Sequence, residues 1–260
     1  MSSFDLSNKP LIGMIHLPRL NDSDYSNLEN VIEFVLEEVN KLEEAEFSAI
    51  MIENFNDTPF PKERVSDELF AKMVTISSEL KKYSALPLGV NILRNACLQA
   101  YSLANALEFD FIRCNIFESA YVTDQGIIEG AAYNLSELKG RLNSNVKILA
   151  DIHVKHAHPL VNFSILESAH NALERGNADA VIVSGIATGR APDIEDFSML
   201  TEEDIFPILG SGLSIDNIET FFPIIRGAII GTSIKRDRKI HNPIDSNFAK
   251  TLSNKWNDLR

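Results

Sequence analysis

The sequence predicts an α/β protein that forms a single (β/α)8 barrel, the TIM-barrel architecture. Eight short apolar runs alternate with segments of helical periodicity, and the runs are rich in β-branched residues, as is typical of parallel strands buried on both faces. The last two runs end in Gly210-Ser211-Gly212 and Gly231-Thr232-Ser233, a pattern with which such barrels hold a phosphate. A doubly wound sheet also alternates strands with helices, so the count of eight and the two glycine-containing ends favour the barrel.

The predicted strands and helices follow in regular order along the chain. We expect strands at residues 10–16, 48–53, 86–91, 109–115, 146–153, 179–184, 205–210 and 227–231. From Leu28 to Leu42 apolar residues recur at helical spacing, which predicts an amphipathic helix. Further helices are expected at about 64–83, 95–108, 133–143, 163–176, 214–222 and 244–258. Pro192 and Asp193 open a short acidic segment after the sixth strand, where we expect a stunted helix.

Length and composition indicate one domain. A chain of 260 residues with 45% hydrophobic content has the usual size of one α/β barrel, so residues 1–9 are interpreted as a short N-terminal arm and 10–260 as the barrel domain. The chain lacks a signal-peptide pattern and a membrane-spanning apolar run, which predicts a cytoplasmic protein. Its net charge of −13 disfavours nucleic acid as a partner. Cys97 and Cys114 are expected to be small core residues instead of a disulfide framework.

Polar or ionisable residues end nearly every predicted strand. Catalytic groups of a barrel come from the carboxyl ends of its strands and the loops beyond, so these residues are expected to converge on one mouth. The candidates for substrate contact there are His16, Asn91, Arg94, Arg113 and Asn115. A single histidine such as His16 is more often a packed, hydrogen-bonded core residue, and that alternative stays open.

The densest set of ionisable residues is Asp151-Ile152-His153-Val154-Lys155. Because strand side chains alternate between faces, Asp151, His153 and Lys155 are predicted to face the barrel axis together. Asp151 and His153 would then carry acid/base chemistry or hold a divalent ion such as Mg²⁺, Mn²⁺ or Zn²⁺. Lys155 would polarise a carbonyl or form a Schiff base. The alternative is an internal ion-pair network that only satisfies the barrel mouth.

Glu53, at the end of the second strand, is the second candidate base. Its alternative role is a salt bridge to Arg113. The parity of Arg113 with Asn115 places the arginine inside the barrel, where it needs an anion such as Glu53, Asp151 or a ligand.

The ends of the last strands predict a phosphate site built from backbone N–H groups. Its candidate residues are Ser184, Gly185, Gly210, Ser211, Gly212, Gly231 and Thr232. Ser214 is expected to cap the following helix, and a basic run from Lys235 to Lys239 lies directly after the final strand. The alternatives are tight strand-to-helix turns and solvated charges.

Residues 123–130 lie in a long connection after the fourth strand, of the kind that forms lids or binding loops. Gly126 and Gly130 would serve as hinges, and Asp124 or Glu129 would be carried into the site on closure. The alternative is a surface loop with a short hairpin.

Together these segments resemble the BtpA/SgcQ family of (β/α)8-barrel proteins. The matching strings are IGMIHLP (12–18), ENF (53–55), GVNILRN (89–95), VTDQGIIEG (122–130), ADIHVKH (150–156), VSG (183–185), ATG (187–189), GSG (210–212) and GTSIK (231–235). The resemblance implies that cyanobacterial relatives are associated with biogenesis or stability of photosystem I reaction-centre proteins. It also implies a bacterial relative in an operon for sugar-type metabolites, and it brings no settled reaction.

From these patterns we expect an enzyme that acts on a small phosphorylated metabolite, either a phosphosugar or a nucleotide-derived compound. Acid/base, lyase or hydrolytic chemistry would take place at the carboxyl face of the barrel. One alternative is a non-catalytic assembly factor that associates peripherally with a membrane-protein complex. Another is a metabolite-sensing binding protein. The protein is expected to form a homo-oligomer.

Overall fold

The structure is a closed, eight-stranded parallel barrel, as predicted. A computed structural model describes residues 4–20, 28–154, 157–185 and 193–260. Its strands are β1 (Leu11–His16), β2 (Ala49–Glu53), β3 (Leu88–Asn91), β4 (Phe111–Cys114), β5 (Ala120–Thr123), β6 (Gly126–Glu129), β7 (Lys147–Ile152), β8 (Ala157–Pro159), β9 (Ala180–Val183), β10 (Ile208–Leu209) and β11 (Gly227–Ile230). Eight of them close the barrel in the order β1-β11-β10-β9-β7-β4-β3-β2. Each predicted apolar run contains one of these eight strands.

The remaining three strands form a small antiparallel sheet in the order β6-β5-β8. β5 and β6 make the short hairpin that was the alternative to a lid, with Val122 opposite Ile127. β8 joins β5 from the connection after β7, with Val122 opposite His158. This third strand was not predicted, because three residues carry no readable periodicity and their partner lies far back in the chain.

Helices cover the outside of the barrel. They are α1 (Leu28–Glu44), α2 (Asp67–Tyr83), α3 (Cys97–Ala106), α4 (Ala132–Leu142), α5 (Ile165–His170), α6 (Ile194–Glu202), α7 (Ile218–Phe221) and α8 (Ser246–Leu259). A π-helical turn, Asn171–Arg175, continues α5. The stunted helix expected after the sixth strand is instead the nine-residue α6. Asp193 begins it, since its side chain accepts a hydrogen bond from the Glu195 backbone N–H.

The short helix is α7, so the predicted span of 214–222 is wrong at its start. Asn217 holds the preceding residues in a turn, because its Oδ1 accepts from Ser214 N at 2.8 Å and its Nδ2 donates to Gly212 O at 2.9 Å. Ser214 therefore does not cap the helix, and its Oγ accepts from Asp216 N instead. α7 ends at Phe221, where a 3-10 turn containing Pro223 begins.

Two apolar layers stabilise the barrel, one inside it and one between strands and helices. Phe4 and Leu6 from the N-terminal arm belong to the inner layer, and the Phe4 ring stacks on Phe111 at a centroid distance of 4.3 Å. Because Phe111 is the first residue of β4, the arm packs into the amino-terminal end of the barrel. Cys97 and Cys114 are buried free thiols in contact with each other, as predicted for small core residues.

Candidate active site

A cavity of about 670 Å³ lies at the carboxyl ends of the barrel strands. Its volume is in the range of pockets that bind small molecules. Its wall combines charged residues from β2, β4 and β7 with the loops after β10 and β11. The prediction that polar strand ends converge on one mouth is therefore confirmed for six residues, and the predicted Asn91 does not line the cavity. The six are His16, Glu53, Arg94, Arg113, Asn115 and Asp151.

Arg113 and Asp151 form a two-pronged ion pair inside the mouth. Arg113 Nε donates to Asp151 Oδ2 and Arg113 Nη2 donates to Asp151 Oδ1, both at 2.8 Å. Asn115 Nδ2 donates to Asp151 Oδ2 at the same distance. The inward orientation predicted for Arg113 from strand parity is confirmed, and its anion is Asp151. The geometry agrees with the ion-pair network that was the alternative role of Asp151, and the bidentate contact fixes the planes of both groups.

His153 does not share the inward face with Asp151, so this part of the prediction is wrong. β7 ends at Ile152, and His153 has φ of 51° and an exposed side chain. Strand alternation stops at that point, and the next residue, Val154, is buried and lines the cavity. Lys155, the third member of the predicted set, lies outside the described residues.

The Asp151 and His153 pair does not fit a divalent cation. Asp151 is buried and lines the cavity, whereas His153 is exposed and does not line it, and the Asp151 oxygens already accept three hydrogen bonds. Among the residues that the structure describes, no group of three or more His, Cys, Asp and Glu side chains lies close enough to share a metal ion. Binding of Mg²⁺, Mn²⁺ or Zn²⁺ stays a prediction, and no step proposed below passes through a metal.

Glu53 is a buried carboxyl group on the cavity wall. Its Oε1 accepts a hydrogen bond from Asn91 Nδ2 at 2.8 Å, across the β2–β3 pairing. Burial raises its pKa above the ordinary value of 4.5, and the nearby Arg113 charge and the Asn91 hydrogen bond offset only part of this effect. The predicted alternative, a salt bridge from Glu53 to Arg113, is not formed, because the guanidinium is directed at Asp151. Glu53 therefore holds a proton at a higher pH than an exposed glutamate does.

His16 stands beside Glu53 at the end of β1. The imidazole is buried, lines the cavity and packs edge-on against the Phe55 ring at 5.0 Å. Burial lowers its pKa well below 6.5, and the positive charges of Lys235 and Arg113 act in the same direction. Its Nδ1 is buried and has no hydrogen-bond partner among the described residues. At neutral pH His16 is therefore an uncharged imidazole with one ring nitrogen available to a ligand.

Glycine-containing loops form the wall near β10 and β11. Of the predicted phosphate residues, Gly210, Ser211, Gly212, Gly231 and Thr232 line the cavity. A Cβ at Gly231 would lie 2.8 Å from His16 Cε1, so the absence of a side chain is required there. Gly212 has φ of 85°, a conformation that glycine adopts without strain.

Ser184 and Gly185 are not on this wall. The hydroxyl of Ser184 occupies the space that a Cβ of Gly210 would need, and it has no partner in the part of the chain that the structure describes. Ser184 thus packs against Gly210 in the loop after β10 and does not line the cavity. Its position does not support the prediction that it contacts the phosphate.

The basic run after β11 divides into two parts. Lys235 is buried and turns toward α1, where its Nζ lies 3.3 Å from Glu38 Oε2. It therefore does not contribute to an anion site. Arg238 is exposed and lines the cavity. Among the described residues, the arginines on the wall are Arg94, Arg113 and Arg238, and the carboxylates are Glu53 and Asp151.

Asp124 and Glu129 are exposed residues of the β5–β6 hairpin, and neither lines the cavity. The negative charge of Asp124 raises the pKa of Arg94, which lines the cavity. Their predicted entry into the site on lid closure has no counterpart in the structure, because both lie outward on the antiparallel sheet that β8 completes.

The sequence reasoning missed the aromatic part of the wall. Phe55 and Phe60, in the loop after β2, both line the cavity. The available signal was the pair of large apolar side chains in the otherwise polar loop that follows Glu53. Isolated apolar residues in a loop are common at surfaces, and this signal is weak without the fold.

The sequence and fold match known proteins over nearly the whole chain. A sequence model of the BtpA family matches residues 7–258. An uncharacterised protein of Methanocaldococcus jannaschii is 46% identical, over 97% of each chain. The "Photosystem I biogenesis protein BtpA" of Synechocystis sp. is 37% identical, over 92% of this chain and 85% of the relative.

Solved structures with the same fold include two enzymes of low sequence identity. Phosphoribosyl anthranilate isomerase from Thermus thermophilus has a TM-score of 0.57 at 12% identity, covering 96% of this chain and 100% of the other. KGPDC from Streptococcus mutans has a TM-score of 0.57 at 14% identity, covering 96% and 99%. At this identity they establish the TIM-barrel fold. Within the described residues, no helix is long and apolar enough to cross a membrane.

Proposed function

This chain belongs to the BtpA family, and we propose that it is an enzyme that carries out acid/base chemistry on a small phosphorylated metabolite. The metabolite would be a phosphosugar or a nucleotide-derived compound. The reaction would be an isomerase, lyase or hydrolase step, and the isomerase and lyase forms exchange a carbon-bound proton with solvent. The observation that carries this proposal is Glu53, a carboxyl group that is 5% exposed, faces a metabolite-sized cavity and is held by Asn91 instead of by a salt bridge.

The raised pKa of Glu53 suits it to proton transfer. A catalytic acid or base is most effective when its pKa lies near the working pH, and burial moves a carboxyl group in that direction. The Asn91 hydrogen bond fixes the orientation of the group. Structural ion pairs also perturb pKa values, but their carboxylates form a salt bridge, as Asp151 does here, whereas Glu53 forms none with the described residues.

The loops after β10 and β11 support a phosphate ligand. They bring Gly210, Gly212 and Gly231 to the cavity wall, where the backbone can approach an anion closely, and Arg238 adds a positive charge. The names of structural neighbours agree with such a ligand, since phosphoribosyl anthranilate isomerase and orotidine 5'-monophosphate decarboxylase act on phosphorylated compounds. This agreement supports the class of ligand and leaves the reaction open.

The residues around Glu53 have distinct roles in the proposal. Glu53 takes a proton from the substrate or donates one to it. The Arg113 and Asp151 pair and Asn115 form a rigid polar surface against which the reacting group is oriented. His16, being neutral, forms a hydrogen bond to the substrate without adding charge. Binding of the phosphate by backbone amides holds the other end of the molecule.

The test begins with thermal denaturation against phosphorylated sugars, nucleotides and inorganic phosphate, because a ligand that binds the native state raises the melting temperature. Compounds that do so are then incubated in D₂O with the wild type and with Glu53→Gln, and carbon-bound deuterium is followed by NMR. We expect wild-type exchange that Glu53→Gln loses while it retains binding. Glu33→Gln, an exposed glutamate of α1, is the matched control. Equal exchange in wild type and Glu53→Gln would refute the assigned role.

A second candidate function is a non-catalytic assembly factor, which the name of the Synechocystis relative favours. It predicts that Glu53→Gln and Asp151→Asn leave function nearly intact. A metabolite sensor, the third candidate, predicts ligand affinity without exchange. Lys155 as an imine-forming residue is tested separately, since borohydride should trap a covalent adduct with a carbonyl substrate. The expected homo-oligomer is tested by analytical ultracentrifugation.

A further inference from the structure

The strand order places two chemically different surfaces on opposite sides of the cavity. In a closed ring of eight strands each strand faces the one four positions away, so β11 faces β4 and β10 faces β3. We name two sets of residues. The amide loops are residues 210–213 and 231–233 after β10 and β11, and the acceptor wall consists of Glu53, Asn115 and Asp151 at the ends of β2, β4 and β7. Asn91, at the end of β3, holds Glu53 and does not itself line the cavity.

Two buried polar atoms without partners lie on residues of the cavity wall. Among the described residues, eight buried side-chain atoms lack a hydrogen-bond partner, and His16 Nδ1 and Asn115 Oδ1 are the two that belong to residues lining the cavity. Buried polar atoms in native proteins normally have a partner, so such exceptions beside a cavity indicate positions that a ligand or water completes.

The side-chain amides of Asn91 and Asn115 are held in the same way. Asn91 donates its Nδ2 to Glu53, and Asn115 donates its Nδ2 to Asp151. The carboxylates fix these orientations, because a flipped amide would bring its oxygen against a carboxylate oxygen. Both Oδ1 atoms are therefore left as acceptors without a partner among the described residues, on side chains that are 1% and 5% exposed. Asn115 lines the cavity directly.

The unpartnered Oδ1 of Asn115 needs a donor from the ligand. A carboxylate or carbonyl group cannot donate to it and would bring further acceptors against Glu53 and Asp151. An ammonium group would meet, among the described residues that line the cavity, three arginines against two carboxylates. A hydroxyl group carries no charge, donates to the amide and carboxylate oxygens, and accepts from an arginine or imidazole N–H. Hydroxyl groups therefore fit the wall better than the other common polar groups.

We propose that the ligand is a polyhydroxylated compound with a single terminal phosphate, its phosphate bound by the amide loops and its hydroxyl groups by the acceptor wall across the barrel. This inference rests on the proposed function for the position of the phosphate. It adds that the part of the ligand away from the phosphate bears neighbouring free hydroxyl groups, which a phosphosugar carries in the largest number.

The experiment is calorimetric titration of the full chain with glycerol 3-phosphate, ribose 5-phosphate, ribitol 5-phosphate and glucose 6-phosphate. Each is compared with its unphosphorylated parent and, where it exists, with a deoxy analogue, and inorganic phosphate is titrated alone. We expect at least one polyhydroxylated phosphate to bind about tenfold or more tightly than both its parent and inorganic phosphate. Loss of one hydroxyl group should weaken binding about tenfold, the equivalent of one good hydrogen bond.

Variants locate the contact. Asn115→Ala removes an unpartnered acceptor and leaves Asp151 paired with Arg113, so it should reduce affinity for the sugar phosphate to that of the deoxy analogue and leave inorganic phosphate binding unchanged. Asn254→Ala, an exposed position on α8, is the control. Circular dichroism establishes that both variants are folded, and Asn115→Leu, which keeps the size of the side chain and also removes the acceptor, replaces Asn115→Ala if the latter is not.

The outcomes separate the two proposals. If inorganic phosphate binds as tightly as every sugar phosphate, the acceptor wall makes no contact and the present inference is overturned while the phosphate site stands. If the unphosphorylated parents bind as tightly as the phosphates, the phosphate site of the proposed function fails and the hydroxyl contacts stand. If no compound binds, both are overturned.

Discussion

Replacing Asp151 by asparagine tests the role of the ion pair at the cavity mouth. The aspartate side chain is 4% exposed and its arginine partner is 12% exposed, so water screens the pair only weakly. Asp151→Asn keeps the size of the side chain and removes its charge. Arg113 then stays buried with Glu53 as the remaining nearby anion, and an amide replaces the acceptor of its two hydrogen bonds.

The expected loss of stability is large for a single isosteric change. Breaking a buried pair by removing one partner destabilises proteins by about 3–5 kcal/mol. The residual exposure of Arg113 and the presence of Glu53 favour the lower end, about 3 kcal/mol. For a chain of this size that corresponds to a fall in melting temperature of about 6–12 °C. Loss of the Asp151 charge also lowers the pKa of Glu53, since that charge now raises it.

The assay is urea denaturation of wild type and Asp151→Asn at pH 7, with Glu79→Gln as the control. Glu79 forms an exposed pair with Lys82, and such pairs contribute about 0–1 kcal/mol. The double variant Arg113→Met, Asp151→Leu should recover most of the loss, because apolar residues leave no unpaired charge. A loss for Asp151→Asn no larger than that for Glu79→Gln would refute the assignment of a buried, strongly coupled pair.

Three further predictions concern neighbouring residues. Glu53→Gln should raise stability at pH 8 and raise it much less at pH 5, as measured by urea denaturation. The reason is that the pKa of Glu53 is raised in the folded protein, so the protonated form is the more stable one and is lost as pH rises. The pKa of His16 is lowered in the folded protein, so its neutral form is the more stable one. The wild type should therefore lose stability as pH falls below about 6.5, and His16→Phe should lose less. Gly231→Ala should lower stability by about 1–3 kcal/mol through contact with His16, whereas Gly140→Ala, inside α4 with no atom near its added Cβ, should raise it by about 0.5–1 kcal/mol, as thermal denaturation would show.

The barrel could be predicted because its signals are repeated and local. Every barrel strand is an apolar, β-branched run, and a strand such as β2 is buried along its whole length. Parity along a strand also placed Arg113 correctly, since β4 continues regularly to Cys114. Patterns of this kind depend only on residues close together in the chain.

Predictions failed where a strand or helix ends. The prediction that His153 faces inward assumed that β7 continues past Ile152. The strand ends there, and the positive φ of His153 breaks the alternation of side chains. The start of α7 depends on the Asn217 side chain binding back to residues 212 and 214, which propensity does not reveal. The sequence left open whether Arg113 pairs with Glu53 or Asp151, and the strand order decides it, because β7 adjoins β4 whereas β3 separates β4 from β2.

The pairing of β1 with β11 joins the beginning of the barrel to its end, with Leu11 opposite Ala228 and Gly13 opposite Ile230. His16 and Gly231, which touch at the cavity, stand at this seam. During synthesis the cavity is incomplete until the last strand has left the ribosome and closed against the first, because the wall formed by β11 and the loop after it is still missing. A small molecule that contacts both β11 and β4 then acts as a non-covalent clamp on the closed ring. We expect such a molecule to slow hydrogen exchange more at the β1 and β11 amides than at the amides of the other strands.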